Sequence, residues 1–394
     1  MFSSIPYSSH STPSASAIKR NATPPPKSKP KIAVLQLSPP PNVFTDAIVR
    51  KLETNGFSKQ QIIRVAYSRY DIQSGTLDGV TLKAWLKKEN ICGYVGGGNK
   101  YDIPPEVYGG KEEGNIAHPP IGDKRFEFEG AWFDALSQSR IPSLLICGSL
   151  QRFAIACGYT MNQNLPKKTT TRHNPLGACS TATTCLSGDL LLKKVAEHQH
   201  PVATARGSLI RHLQGPSWQL SSFHTHSVST ERNPVYQERF GRAPINLPLY
   251  VTGVENEGGH IVNEVFEAPL HRQFVLGIQG HPEAMPHENV FHAFSCAVKQ
   301  YEKEKSEKHK IHNSFAISDV SLRVKGFETH IARLEAGRSV SETKPSNRTW
   351  IKHIERHRQQ TLRRICETTS TMPSVATNSS SPSAKTIASR VYLP

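Results

Sequence analysis

An α/β fold is predicted for this chain, a three-layer arrangement in which a sheet of parallel core strands with antiparallel additions lies between helices. Short apolar runs alternate with amphipathic segments as far as Cys157, and later strand-like runs follow one another with only Gly and Asn turns between them. A chain of 394 residues with 37% hydrophobic content is also long enough for one large core.

Order begins at Lys31. Ile32 to Leu37 reads as a buried strand stopped by Pro39-Pro40-Pro41. Asp46 to Leu52 places Ala47, Ile48 and Leu52 at helical spacing, and Asn55-Gly56 closes that helix. A strand at Ile62 to Ala66, a helix at Thr81 to Glu89 and a strand at Ile91 to Val95, ending in Gly96-Gly97-Gly98, continue the alternation. A helix from Phe126 to Ser139, a strand from Ser143 to Cys147 and a helix from Leu150 to Cys157 follow. Strand, helix, strand in repetition is the pattern of a parallel sheet covered on both faces. Beyond it, Gln219 to Ser222, Leu249 to Val254, Ile261 to Phe266 and Phe274 to Gln279 are strand-like, which predicts antiparallel pairing there. A helix from Glu288 to Lys308 completes the unit, and Leu322 to Arg364 has further helical character.

The segments that follow are a Ser/Pro-rich arm over 1–30, one folded domain over 31–303, a basic and partly helical extension over 304–367, and a Ser/Thr-rich tail over 368–394, with arm and tail expected to be disordered. The formal charge of +16 belongs to the flanks. Residues 1–31 hold five Lys or Arg and no acids, and residues 299–394 hold 18 against nine, so the flanks carry +14. Such a tail suits an acidic partner, but it has neither zinc-finger spacing nor an aromatic RNA-binding motif, so specific nucleic-acid recognition is not expected. Seven scattered cysteines without a CxxC pair encode no disulfide framework or zinc site and suit a reducing, cytoplasmic setting; Cys179 and Cys185 read as unpaired loop thiols. No apolar run approaches the ~20 residues that span a bilayer. The acid-free N-terminal arm faintly resembles a transit peptide.

Two places carry chemistry. Cys147 ends a predicted parallel strand where a helix begins, a position at which the helix N-terminus favours thiolate and backbone N–H groups can hold an oxyanion. Cysteine is equally a common small core residue. The second place is Gly277-Ile278-Gln279-Gly280-His281-Pro282-Glu283 at another strand exit. Residues two apart on extended backbone share a face, so Glu283 can hold the His281 imidazole. Alone, His-Pro-Glu is common surface sequence.

Together these stretches resemble the class I glutamine amidotransferase superfamily, specifically its γ-glutamyl hydrolase branch (peptidase C26), which includes γ-glutamyl-γ-aminobutyrate hydrolase. Gly96-Gly97-Gly98 and Asp102-Ile103-Pro104-Pro105-Glu106-Val107-Tyr108-Gly109 are similar to the branch's glycine loop and its D-[IV]-x-P-x-x-Y-G signature. Arg125 to Glu129 resembles R-D-x-x-E, and Ile141-Pro142 leading to Ile146-Cys147 and Gln151 resembles I-P…L-G-I-C-R-G-x-Q. Ser221-Ser222-Phe223-His224 is similar to N-S-x-H-H-Q, and Gly277 to Glu283 to G-[VI]-Q-W-H-P-E. The resemblance covers Lys31 to Lys303 and implies a three-layer flavodoxin-like fold. It implies a Cys147, His281 and Glu283 triad, oxyanion or substrate contacts from Gly97, Gly98, Gly148, Gln151 and His224, and hydrolysis of a small γ-glutamyl compound through a thioester, without cofactor or metal. The alternative is a catalytically silent amidotransferase-like protein that binds or scaffolds, with the basic tail as its interaction arm.

The pattern is broken near the thiol. The family has glycine two residues before and two after the cysteine, where this chain has Leu145 and Ser149. Gly280 stands in place of the branch's tryptophan, and the missing bulk is expected to make room for them. Gly148 replaces arginine, Phe126 replaces aspartate, and Thr225 and His226 replace the second histidine and the glutamine.

Overall fold

The computed structural model describes residues 29–36, 42–98, 101–114, 116–121, 123–163, 165, 173, 188–233, 236–237, 243–257, 260–269, 273–286 and 289–306. The expected N-terminal arm up to residue 28, Cys179, Cys185, the helix from Leu322 to Arg364 and the tail lie outside them.

The first half alternates as the sequence pattern requires: β1 (Lys31–Gln36), α1 (Val43–Thr54), β2 (Ile62–Ala66), the short strands β3 (Tyr70–Asp71), β4 (Thr76–Leu77) and β5 (Val80–Thr81), α2 (Leu82–Lys88) and β6 (Ile91–Gly96). Then come α3 (Arg125–Ser139), β7 (Ser143–Ile146), α4 (Gly148–Ala156) and β8 (Tyr159–Asn162). The second half holds α5 (Gly188–Glu197), β9 (Gln199–Thr204), α6 (Leu209–Gln214), β10 (Ser217–Ser221), β11 (Ser227–Arg232), β12 (Tyr250–Glu257), β13 (His260–Glu267), β14 (Val275–Ile278) and α7 (Asn289–Ser306). The side chains of Asn42 and Thr81 accept from first-turn N–H groups and start α1 and α2. The domain boundary expected at 303/304 falls inside α7.

Among the described residues, nine strands form the main sheet in the order β10-β9-β12-β13-β14-β7-β6-β1-β2. Pairing is parallel from β14 through β7, β6 and β1 to β2 and antiparallel from β14 outward to β10. The expected parallel core with antiparallel additions is therefore present in one continuous sheet. Side-chain alternation divides the interior into two layers. Ala33, Leu35 and Leu145 pack with Trp132, Phe133 and Phe153 of α3 and α4, while Ile32, Val34, Leu144 and Ile146 pack with Ile48 of α1 and Phe291, Phe294 and Val298 of α7.

The β7 to β14 ladder does most to build a site. Leu145 pairs with Gly277 and Ile146 with Ile278, and the Cys147 N–H donates to the Ile278 carbonyl at 2.7 Å. On the other side of β7, Leu145 pairs with Gly96. The carboxyl ends of β6, β7 and β14 thus bring Gly97-Gly98, Cys147 and His281 to one edge, the place where open α/β sheets receive ligands.

Candidate active site

Cys147 occupies the junction of β7 and α4 with φ +50° and ψ −113°, a left-handed conformation that non-glycine residues seldom adopt. The elbow is therefore kept despite Leu145 and Ser149. The reason lies in neighbouring glycines, but not in Gly280. Leu145 is flanked in register by Gly96 and Gly277, so its side chain is the only bulk across three adjacent strands at that level. Ser149 fills the space left by Gly96, where an added Cβ would strike its hydroxyl. Gly280 instead packs against Leu220 and the Ser221 carbonyl of β10, so the compensation expected from it is not found.

His281 Nδ1 is 2.8 Å from Glu283 Oε1, and the imidazole and Cys147 both face Gly98, where a Cβ would lie 3.7 Å from His281 Nε2 and 3.6 Å from Cys147 Cβ. All three residues are buried, Cys147 being 5% exposed. The backbone N–H of His281 donates to Ser221 O at 2.8 Å and its ring lies 4.8 Å from that of Phe44, which holds it in place. Burial works against a charged imidazole here, but the negative charges of Glu283 and then Cys147, with the hydrogen bond to Glu283, outweigh it and raise His281 to about 10. Cys147 Sγ lies 4.0 Å from both Phe223 O and Gln279 Nε2.

The glycine loop overhangs this pair. A Cβ on Gly98 would come within 2.9 Å of His281 Cε1 and 3.6 Å of Cys147 Cβ, so the main chain itself forms the wall. A buried guanidinium holds the loop from behind: Arg125 donates to Gly98 O at 2.8 Å and Gly97 O at 3.0 Å. Arg125 is paired with Glu129 at 2.8 Å, and Ser149 Oγ donates to Glu129 at 2.5 Å. Ser149 thus joins the start of α4 to α3. Arg152 shares the same carboxylate at 3.2 Å; burial and then Arg125 lower it to about 10, with Glu129 opposing. Sequence reasoning marked Arg125 to Glu129 only as a likeness, because a guanidinium that serves two backbone carbonyls leaves no spacing signal.

The Peptidase C26 family model matches residues 82–283, more than half of the chain. The chain belongs to the Peptidase C26 family. A protein of Mycobacterium tuberculosis named as a glutamine amidotransferase is 27% identical over 183 residues, 46% of this chain and 48% of the relative. The chain therefore spans about half the length of that curated relative. Solved structures that are similar to it include a GMP synthase component of Thermoplasma acidophilum, with a TM-score of 0.39, 14% identity, and coverage of 70% of this chain and 97% of that one. The glutaminase domain of Trypanosoma brucei CTPS with bound acivicin has a TM-score of 0.42 at 15% identity, covering 69% and 94%. A glutamine amidotransferase of Thermotoga maritima has a TM-score of 0.35 at 12% identity, covering 87% and 98%.

In this Peptidase C26 chain the remaining predicted contacts are sorted by geometry. Gly148 is the first residue of α4 and adjoins the thiol. Gln151 is buried and gives its amide N–H to His226 O at 3.0 Å, which makes it a clasp on the Ser221–His226 loop. His224 departs from the expectation of a ligand contact: Nδ1 faces His226 O at 3.1 Å and Nε2 faces Glu264 Oε1 at 3.4 Å, so both nitrogens turn into the interior. Burial, opposed by Glu264, lowers His224 to about 4. The Asp102 stretch is a turn that closes on Gly109 at φ +74°. Asp102 meets Thr225 Oγ1 at 3.1 Å and His226 Nδ1 at 3.0 Å, so the two replaced residues of the family pattern tie the loop to this turn. Among the described residues no helix is long and apolar enough to cross a membrane.

Proposed function

We propose that this chain is a cysteine-dependent hydrolase of γ-glutamyl amide bonds that works through a γ-glutamyl thioester. The observation that carries the reading is the convergence of Cys147 with the hydrogen-bonded His281–Glu283 pair at the joined ends of β7 and β14, beside Gly98. A histidine raised to about 10 keeps its proton at neutral pH and can partner a thiolate. The thiolate attacks the γ-carbonyl, and the oxyanion is received by the N–H groups of Gly98 and Gly148, the latter at a helix start where N–H groups have no intrahelical acceptor. His281 gives its proton to the departing amine; it then takes a proton from water as the thioester is hydrolysed, returning the thiol and releasing glutamate.

The γ-glutamyl choice is supported by family membership and by the Mycobacterium tuberculosis relative, named for an activity on glutamine, itself a γ-glutamyl amide. The strained φ of Cys147 favours catalysis over a silent binding role, since a cysteine without chemistry to perform has no need of that conformation.

A glutamine-derived electrophile tests the proposal. Wild type is expected to take up one label per chain and to release p-nitroaniline from γ-glutamyl-p-nitroanilide, with both lost in Cys147→Ala. Equal labelling of the two proteins removes any special role from this thiol.

A further inference from the structure

Behind the loop that brings Phe223 O against the thiol lies a second group of side chains, which the reaction above does not use. His173, His200 of β9, His224 and Glu264 of β13 each turn one donor atom toward a common point, and these atoms all lie within 4.8 Å of one another. All four residues are buried. Glu264 Oε1 is 3.4 Å from His224 Nε2, 3.5 Å from His173 Nδ1 and 3.7 Å from His200 Nε2. Charge-assisted hydrogen bonds are shorter, at about 2.7–2.9 Å. Donors bonded tetrahedrally at about 2.0–2.1 Å to a central ion stand roughly 3.4 Å apart, which these separations approach. His200 Nε2, His224 Nε2 and both oxygens of Glu264 make no hydrogen bond among the described residues, although all are buried.

The far sides of the rings are arranged as those of ligating imidazoles are, each facing an acceptor that sets its tautomer. Glu255 Oε2 lies 2.9 Å from His173 Nε2 and 3.0 Å from His200 Nδ1, and His226 O lies 3.1 Å from His224 Nδ1. Ser222 Oγ also stands 3.4 Å from His173 Nδ1. Three neutral imidazoles, the carboxylates of Glu264 and Glu255 and one divalent cation sum to zero charge, the balance a buried cluster requires.

We propose that His173, His200, His224 and Glu264 form a closed, four-coordinate site for a divalent transition metal, with zinc the ion that best suits this donor set. With four protein donors the site is structural. It ties β9, β13 and the Ser221–His226 loop to the segment that carries His173, and it holds Phe223 O at its 4.0 Å distance from Cys147 Sγ. It is independent of the thioester chemistry and survives if that reading fails.

Full-length protein, isolated without chelator and freed of any affinity tag, should contain one zinc per chain by mass spectrometry. Stripping it with dipicolinate should lower the Tm, and cobalt(II) should restore the Tm with the visible bands of a tetrahedral nitrogen and oxygen site. Zinc affinity should fall at least ~100-fold in His200→Gln, and about 10- to 100-fold in Glu255→Gln, which keeps all four donors. If these variants do not fold, the wild-type cobalt spectrum still decides. A thiolate-to-cobalt charge-transfer band would put the metal on cysteine and overturn the proposal. So would metal-free protein that takes up neither ion, which would leave the cluster an imidazolium–carboxylate network.

Discussion

The protonation of His281 is set by what surrounds it rather than by imidazole itself. Burial alone would keep the ring neutral, and the opposing pull of Glu283 and Cys147 raises it to about 10. If that proton serves the leaving amine, kcat/KM should hold through neutral pH and fall as pH rises through about 10. Glu283→Gln removes the first of the raising causes, so its alkaline limb should move to lower pH. It should also lower kcat/KM on the order of 10²–10⁴ while the circular dichroism spectrum is unchanged. An unmoved limb in the pH profile would show that Glu283 does not act through the ring. Strand-end positions and two-residue spacing only nominated Cys147, His281 and Glu283 in the sequence, and the resemblance carried by five ordered stretches is what singled them out. His173, His200, Glu255 and Glu264 were not legible, since they meet only after folding. The sole hint is His200 at an inward position of the alternating run from Gln199 to Thr204.

At the level of elements, the decisive contacts are those between the β6 loop and the β7–α4 junction. Gly98 has no room for a side chain, because His281 Cε1 occupies the space. Gly98→Ala should push the loop back by a few tenths of an ångström or more. Its amide then leaves the oxyanion, so kcat should drop about 10- to 100-fold with little change in Tm. Full activity in steady-state assays would remove that amide from the oxyanion site. The expected strands of the parallel core agree with the structure within one or two residues, because all but the edge strand β2 are short apolar runs buried on both faces. α5, α6, β9, β11 and the short strands β3, β4, β5 and β8 were not anticipated. β11 runs from buried Ser227 and Val228 to exposed Glu231 and Arg232 and, among the described residues, pairs only with the short β8, so neither its composition nor a clean alternation announces a strand. The tolerance of Leu145 was equally hidden, because Gly96 and Gly277 become its neighbours only through sheet register.

For the molecule as a whole, the excess positive charge is concentrated toward the two ends of the sequence. Residues 307–394 hold 15 Lys or Arg against seven Asp or Glu, and the side chains described at the thiol site all come from earlier in the chain. Deleting them should leave γ-glutamyl turnover within about two-fold and abolish salt-sensitive retention on heparin, as counterion release by a basic tail requires. Loss of turnover would tie the tail to catalysis rather than to an acidic partner. The pairing of β7 with β14 also bears on synthesis. Residues 143–146 leave the ribosome well over a hundred codons before 275–278, and a nascent chain halted between them carries Cys147 without its imidazole. On the proposed mechanism turnover is thus withheld until nearly all of the sheet can assemble, so a product truncated before His281 should not hydrolyse γ-glutamyl amides.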